Sequence, residues 1–207
     1  SLVGPFKRSG SFATAMSILS ASTSVAKKDE EKSALQAWYW YDWANQAFAL
    51  TVLTVVVPAL TASMYNTATG TQTGDSFYAL VLGVSSLFVA VVSPVLGAIA
   101  DRIEIKKKIL LAYTIVGVIF TAMMGLAPFL GEGTDYMFLA VCLVIGNIGF
   151  AGGNVIYYAF MPYVTSKEDA DHVSSWGYAY GFMGGSTILS GLLYTSPSPR
   201  DNNRARM

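Results

Sequence analysis

Two sets of polar residues at helical spacing interrupt an otherwise apolar chain. Asp42, Asn45, Gln46 and Ala49 fall at i, i+3, i+4 and i+7, which is one face of a helix. Asn147, Ala151, Asn154 and Tyr158, spaced by 4, 3 and 4 residues, mark a second such face. A carboxyl group, four side-chain amides and a phenol can hold a small solute or carry a proton. They do not make a catalytic pair. The chain shows no Ser/His/Asp or Cys/His arrangement, no phosphate-cradling glycine loop and no carboxylate pair. Its single cysteine excludes a disulfide framework and a four-thiolate zinc site, and its single histidine excludes an HExxH metal motif. Cys142 lies among Leu and Val and reads as a small packing residue; His172, beside Asp169 and Asp171, reads as a solvated connector residue.

Each polar set supports two readings. Asp42 follows Trp38-Tyr39-Trp40-Tyr41 and precedes Trp43, so it fits a helix cap within an interfacial aromatic belt. It equally fits a coupling or substrate-binding group, because a polar stripe entering a bilayer should face the bundle interior or a water-filled cavity. Asn147 sits near the middle of its apolar stretch, where an amide needs a partner. That partner is either another helix or a solute bound near the bilayer midplane.

The elements that position these residues follow from composition. Of 207 residues, 53% are apolar or aromatic and 13% are charged, about half the charged share of a soluble domain. Lys+Arg and Asp+Glu balance at 13 each, so no basic face exists to grip a nucleic acid. Apolar runs at 44–64, 76–100, 109–130 and 136–161 contain no Asp, Glu, Lys or Arg, and a glycine-rich fifth spans 173–191. About 20 such residues cross the hydrocarbon core as a helix, because the backbone must satisfy its own hydrogen bonds there. The fold class is therefore an all-α membrane protein, a polytopic bundle of five helices whose main partner is the lipid bilayer. Lys7, Arg8, Lys27, Lys28 and Lys32 precede the first run. Arg102, Lys106, Lys107 and Lys108 separate the second and third, and Lys167 separates the fourth and fifth. The connectors 65–75 and 131–135 hold no Lys or Arg, so the positive-inside rule predicts a cytoplasmic N-terminus.

Residues 1–34, rich in Ser, Thr and Ala, read as a disordered cytoplasmic tail. At the other end the glycine-rich run gives way to Pro197, Pro199, Arg200, Arg204 and Arg206. The stretch 192–201 resembles the translation of a sequencing adapter, so 192–207 is expected to be a library scar rather than part of the fold; the alternative is a genuine hydrophilic C-terminus. Gly146, Gly149, Gly152 and Gly153 in the fourth run, and Gly177, Gly181 and Gly185 at GxxxG spacing in the fifth, predict close helix packing.

The connector Gly97-Ala98-Ile99-Ala100-Asp101-Arg102-Ile103-Glu104-Ile105-Lys106-Lys107-Lys108 resembles the signature loop of the major facilitator superfamily, Gly-x-x-x-Asp-Arg-x-Gly-Arg-Lys, and lies between the second and third spans as that loop does. Glu104 stands in place of its second glycine and Ile105 in place of a common basic residue. Three further stretches, Tyr41-Asp42-Trp43-Ala44-Asn45-Gln46-Ala47-Phe48, Asn147–Phe150 with Tyr157–Pro162, and Ser174–Gly185, resemble the autophagy-related vacuolar amino-acid effluxers and their bacterial relatives. The resemblance covers about residues 38–191. It implies the first five helices of a twelve-helix transporter in two pseudo-symmetric halves, with the C-terminal half missing. Helices one and four would line a central cavity, and the parent would be a secondary transporter of small solutes exporting amino acids from a vacuole-like or other endomembrane compartment. Asp42, Asn45, Gln46, Asn147, Asn154 and Tyr158 would then be cavity candidates. Gly97, Asp101, Arg102, Lys106 and Lys107 would form a conformational lock against the other half. No cofactor or metal is implied, with Asp42 the candidate for proton coupling.

Overall fold

In the computed structural model, the backbone is described for residues 9–99 and 103–195, and the side chains for 23–99 and 105–195. Every regular element among them is helical. Helix α1 (Ser9–Ala47) runs without a break through a π-helical segment (Phe48–Val56) into α2 (Val57–Thr69). The wide turn has a local cause. Pro58 lacks an N–H and its ring crowds the carbonyl four residues back. Around it the chain widens: the Val57 N–H bonds the carbonyl of Val52, and the Thr54 hydroxyl donates to that of Ala49 at 2.9 Å. Tyr78 of the next helix donates to the Leu53 carbonyl. Gly70, in the left-handed region at φ 68°, ends α2 with its N–H on Asn66. The Asn66 side chain then accepts the N–H of Gly74, so one residue closes both sides of the turn.

Helix α3 (Gly74–Ile99) and α4 (Ile103–Met124) follow, then a 3₁₀ turn (Ala127–Phe129) and α5 (Asp135–Tyr158). The Asp135 carboxylate, in the first turn of α5, accepts the N–H groups of Gly133 and Tyr136 and places a negative charge at the positive end of the helix. After α6 (Met161–Val164), the Ser166 hydroxyl and Asp169 bond reciprocally ahead of α7 (Ala170–Thr195). The spans 23–69, 74–99, 105–129 and 135–158 are long and apolar enough to cross a membrane. With the glycine-rich α7, this is the all-α polytopic bundle expected.

Helix α5 is central. It packs against α3 and α4 and buries Leu139, Cys142, Leu143, Ile156 and four glycines. Leu139, Cys142 and Leu143 join Val57, Met64, Val81, Met124 and Ala127 in the main core. The α4–α5 contact needs glycine: a Cβ on Gly149 would lie 2.6 Å from the Gly117 backbone nitrogen. Leu80, Val84, Leu87, Phe88, Val91 and Val95 are exposed along α3, an apolar stripe suited to lipid.

The boundaries differ from expectation in three places. Residues 9–34, read as a disordered tail, are helical within α1, and 23–34 are exposed. Ala, Ser, Glu and Lys there tolerate the helix that the first span imposes from its C-terminal side. Lys106 and Lys107, read as loop residues, lie in the first turns of α4. Residues 192–195, assigned to the scar, extend α7; 196–207 lie outside the described residues.

Candidate functional site

Helices α1 and α5 meet through two amides. Asn45 Nδ2 donates to Asn154 Oδ1 at 2.8 Å. Beside this pair lies a cavity of about 460 Å³ between α1, α4 and α5, within the size range of small-molecule sites. Tyr41, Ala44, Asn45 and Phe48 form one wall, Gly149 and Phe150 a second, and Tyr113, Thr114, Gly117, Val118, Thr121 and Ala122 the third. The walls are mostly apolar. Thr114 and Thr121 spend their hydroxyl protons on the carbonyls of Leu110 and Gly117, leaving oxygen lone pairs as acceptors.

The polar stripe of α1 is divided between two neighbours. Asn45 faces the cavity, whereas Asp42 and Gln46 face α7. A Cβ on Gly177 would lie 3.1 Å from Asp42 Oδ2, and one on Gly181 would lie 3.3 Å from the Asp42 carbonyl oxygen. Gly185 lies against Gln46 and Leu50, and Gly184 against Trp43. The three glycines at GxxxG spacing, plus Gly184, thus bring α7 onto α1.

The second polar set is divided as well. Asn147, 4% exposed, donates to Ser85 Oγ at 2.8 Å and approaches Ser86 Oγ at 3.4 Å. Its amide is engaged by α3 and does not line the cavity. Tyr158 is 46% exposed and stands edge-on to Tyr157, with ring centroids 5.3 Å apart. Of the six cavity candidates, Asn45 lines the cavity and Asn154 supports it.

The sequence reading missed the α4 wall. Thr114, Gly117 and Thr121 fall at i, i+3 and i+7, a small polar face hidden within an apolar run. It also missed the aromatic stack above the cavity. Tyr157 lies 3.8 Å from Trp38 and 4.4 Å from Tyr41 between ring centroids, and its hydroxyl donates to the Trp38 carbonyl at 3.0 Å.

The lock residues are partly described. Asp101 and Arg102 lie outside the described residues. Among the described residues, a Cβ on Gly97 would meet nothing within 4 Å. Lys107 is exposed. Lys106 is 3% exposed; its ammonium donates to the Ala159 carbonyl at 3.2 Å and sits 4.5 Å from the Tyr163 ring centroid. A cation at that carbonyl suits the C-terminal end of a helix and pins the start of α4 to the end of α5. Lys106 in this conformation is therefore engaged within the bundle instead of standing free as part of a lock.

Membrane-length helices, a glycine-packed interior and an amide pair beside a cavity define a polytopic membrane bundle. The chain belongs to the vacuole effluxer Atg22-like family, which it matches over residues 66–172, just over half its length. It is also similar to an uncharacterized MFS-type transporter, YxiO, of Bacillus subtilis (strain 168), with 32% identity over 153 residues, 73% of this chain and 35% of that protein. The chain therefore spans about a third of the length of this curated relative. No solved structure matches it. The resemblance read from the motifs is borne out at the level of the family.

Proposed function

We propose that this chain is the N-terminal part of a secondary active transporter that moves small solutes, and that the whole protein exports amino acids from a vacuole- or lysosome-like compartment. The observation that carries this reading is the Asn45–Asn154 bond at the edge of the 460 Å³ cavity. Buried amides cost free energy unless paired. A pair joining two helices beside an open volume can exchange its mutual bond for bonds to a solute. Membership of the vacuole effluxer family and the name of the Bacillus relative support export and the major facilitator mode. In that mode the N-terminus is cytoplasmic, and a second half of the same chain completes the cavity and meets the loop carrying Gly97, Asp101 and Arg102.

The test begins by sequencing the native transcript across codon 191 and expressing the complete reading frame in membrane vesicles. Vesicles preloaded with labelled amino acids should lose label through the protein, and Asn45→Ala should reduce that flux about tenfold at equal membrane abundance, the cost of roughly 1.4 kcal/mol. A correctly inserted full-length protein that moves no amino acid would overturn the substrate assignment. Indifference of flux to both Asn45→Ala and Asn154→Ala would instead favour a non-transporting scaffold or a cavity elsewhere.

A further inference from the structure

Asp42 is a buried carboxyl group without a counter-charge. It is 5% exposed, and its Oδ1 has no hydrogen-bond partner. The Tyr157 hydroxyl is occupied elsewhere: it donates to the Trp38 carbonyl. Among the described residues, Tyr41 on α1 and Tyr157 and Tyr158 on α5 are titratable neighbours of Asp42, with Tyr178 of α7 beside the latter two. Helix α6 offers only Tyr163, which lies over Lys106, and the Lys106 ammonium is committed to Ala159. His172, on α7, is exposed and accepts the Trp176 indole N–H. The described residues thus leave Asp42 among neutral partners.

The space around it excludes larger ligands. Stacking of Trp38 and Tyr41 on Tyr157, at 3.8 and 4.4 Å between centroids, occupies the ring faces that an organic cation would use. A metal ion would need further anionic or imidazole ligands, and the neighbours are tyrosines, a tryptophan and a glycine. On the other side Gly177 packs close to Oδ2, where an added Cβ would lie 3.1 Å away. A lone carboxylate in such a site is strongly disfavoured, whereas a neutral carboxyl is tolerated.

We propose that Asp42 is a proton-binding site that controls the α1–α7 seam: the seam closes over the neutral acid and opens when the proton leaves. This deepens the transporter reading and rests on it only for the use made of the proton. One O–H bond forms on the carboxyl group as one breaks in a hydronium ion that reaches it through the open seam, leaving water, and no other bond changes. Opening hydrates the carboxylate and separates Gly177 and Gly181 from α1. Because α1 also carries Asn45, movement at this seam reaches the cavity.

The test reads the seam directly, so it gives an answer even if the full-length protein transports nothing. Tyr39 and Tyr180 stack across α1 and α7 at 5.2 Å. In a cysteine-free background of the full-length protein, Cys142→Ser included, Tyr39→Cys and Tyr180→Cys are joined by a short bifunctional thiol reagent after equilibration at each pH, with the coupling step itself run at one fixed pH. The expected result is efficient crosslinking after acidic equilibration, falling several-fold after alkaline equilibration. Asp42→Asn, a neutral isostere, should hold the yield high at every pH. An Asp42→Asn profile that follows the Asp42 profile overturns the proposal. If Asp42→Asn fails to accumulate, infrared difference spectra of the unsubstituted full-length protein decide. A protonated carboxyl band that appears under acid only with the closed seam supports the site, and absence of any such band overturns it. Active flux with a pH-independent seam would leave the transporter reading standing and remove this one.

Discussion

Asn45 and Asn154, 109 residues apart in sequence, share a 2.8 Å hydrogen bond between their side-chain amides. The bond spans α1 and α5, which otherwise approach mainly through the aromatic stack of Trp38, Tyr41 and Tyr157. It places one amide on the cavity wall and the other behind it. The pair is thus both a structural tie and the polar feature best placed to meet a solute.

A double-mutant cycle separates those roles. Asn45→Ala, Asn154→Ala and the double variant should show a coupling of about 0.6–2 kcal/mol in detergent unfolding, the range for interhelical hydrogen bonds in membranes. In the flux assay each single variant should lose about as much as the pair, because either change destroys the same arrangement. Additive losses in flux would show that the two amides act independently.

Asn147 should behave differently, although sequence places it on the same helix face as Asn154. Its amide is satisfied by Ser85 and approached by Ser86. Asn147→Ala removes a buried donor and leaves the Ser85 hydroxyl with one partner fewer, at a cost of about 1–3 kcal/mol in stability. Substrate KM in the full-length protein should stay unchanged. A KM shift at normal thermal stability would place Asn147 against the solute.

Lys106 and Lys107 are neighbours with opposite environments. Lys106→Met strips the Ala159 carbonyl of its ammonium donor and should cost about 1–3 kcal/mol. Lys107→Met, at an exposed position, should stay within about 0.5 kcal/mol of the parent. Thermal unfolding in matched detergent checks both. Equal effects would show that the basic cluster acts through its summed charge and not through the bond to Ala159.

Much of the architecture was legible because hydrocarbon imposes simple demands. Runs free of charge over Ser76–Ala100 and Tyr136–Met161 correspond closely to α3 and α5, since a chain crossing lipid has few alternatives to a helix. The wide turn before Pro58 was less visible, because a proline within a Val- and Thr-rich run marks a disturbance without specifying how the backbone absorbs it. Lys106 was misplaced for a related reason. Composition gives it a charge, and only the third dimension supplies the Ala159 carbonyl that lets it be buried. Helical spacing likewise placed Asp42, Asn45 and Gln46 on one stripe. It could not reveal that α5 and α7 pack on either side of that stripe and divide it. The Thr114–Thr121 wall of the cavity carried the faintest signal of all, since single hydroxyls in an apolar helix usually bond their own backbone.

Two glycines test whether motif and packing coincide. Gly149 faces backbone: an added Cβ would lie 2.6 Å from the nitrogen and 2.8 Å from the Cα of Gly117. Backbone cannot rotate away as a side-chain tip can, so Gly149→Ala must separate α4 from α5, at a cost of at least the 1–3 kcal/mol typical of overpacking. Gly97 is within α3, and among the described residues an added Cβ there meets nothing within 4 Å. Gly97→Ala should therefore stabilise this conformation by about 0.5–1 kcal/mol through helix propensity. Thermal unfolding should shift in opposite directions for the two variants. Flux in the full-length protein adds a second comparison. If Gly97→Ala raises the unfolding temperature yet slows transport, the space beside Gly97 is filled in another conformation, by the partner half that the signature loop implies. If it raises stability and leaves transport unchanged, that glycine serves neither packing nor the lock, and the lock role rests on Asp101 and Arg102.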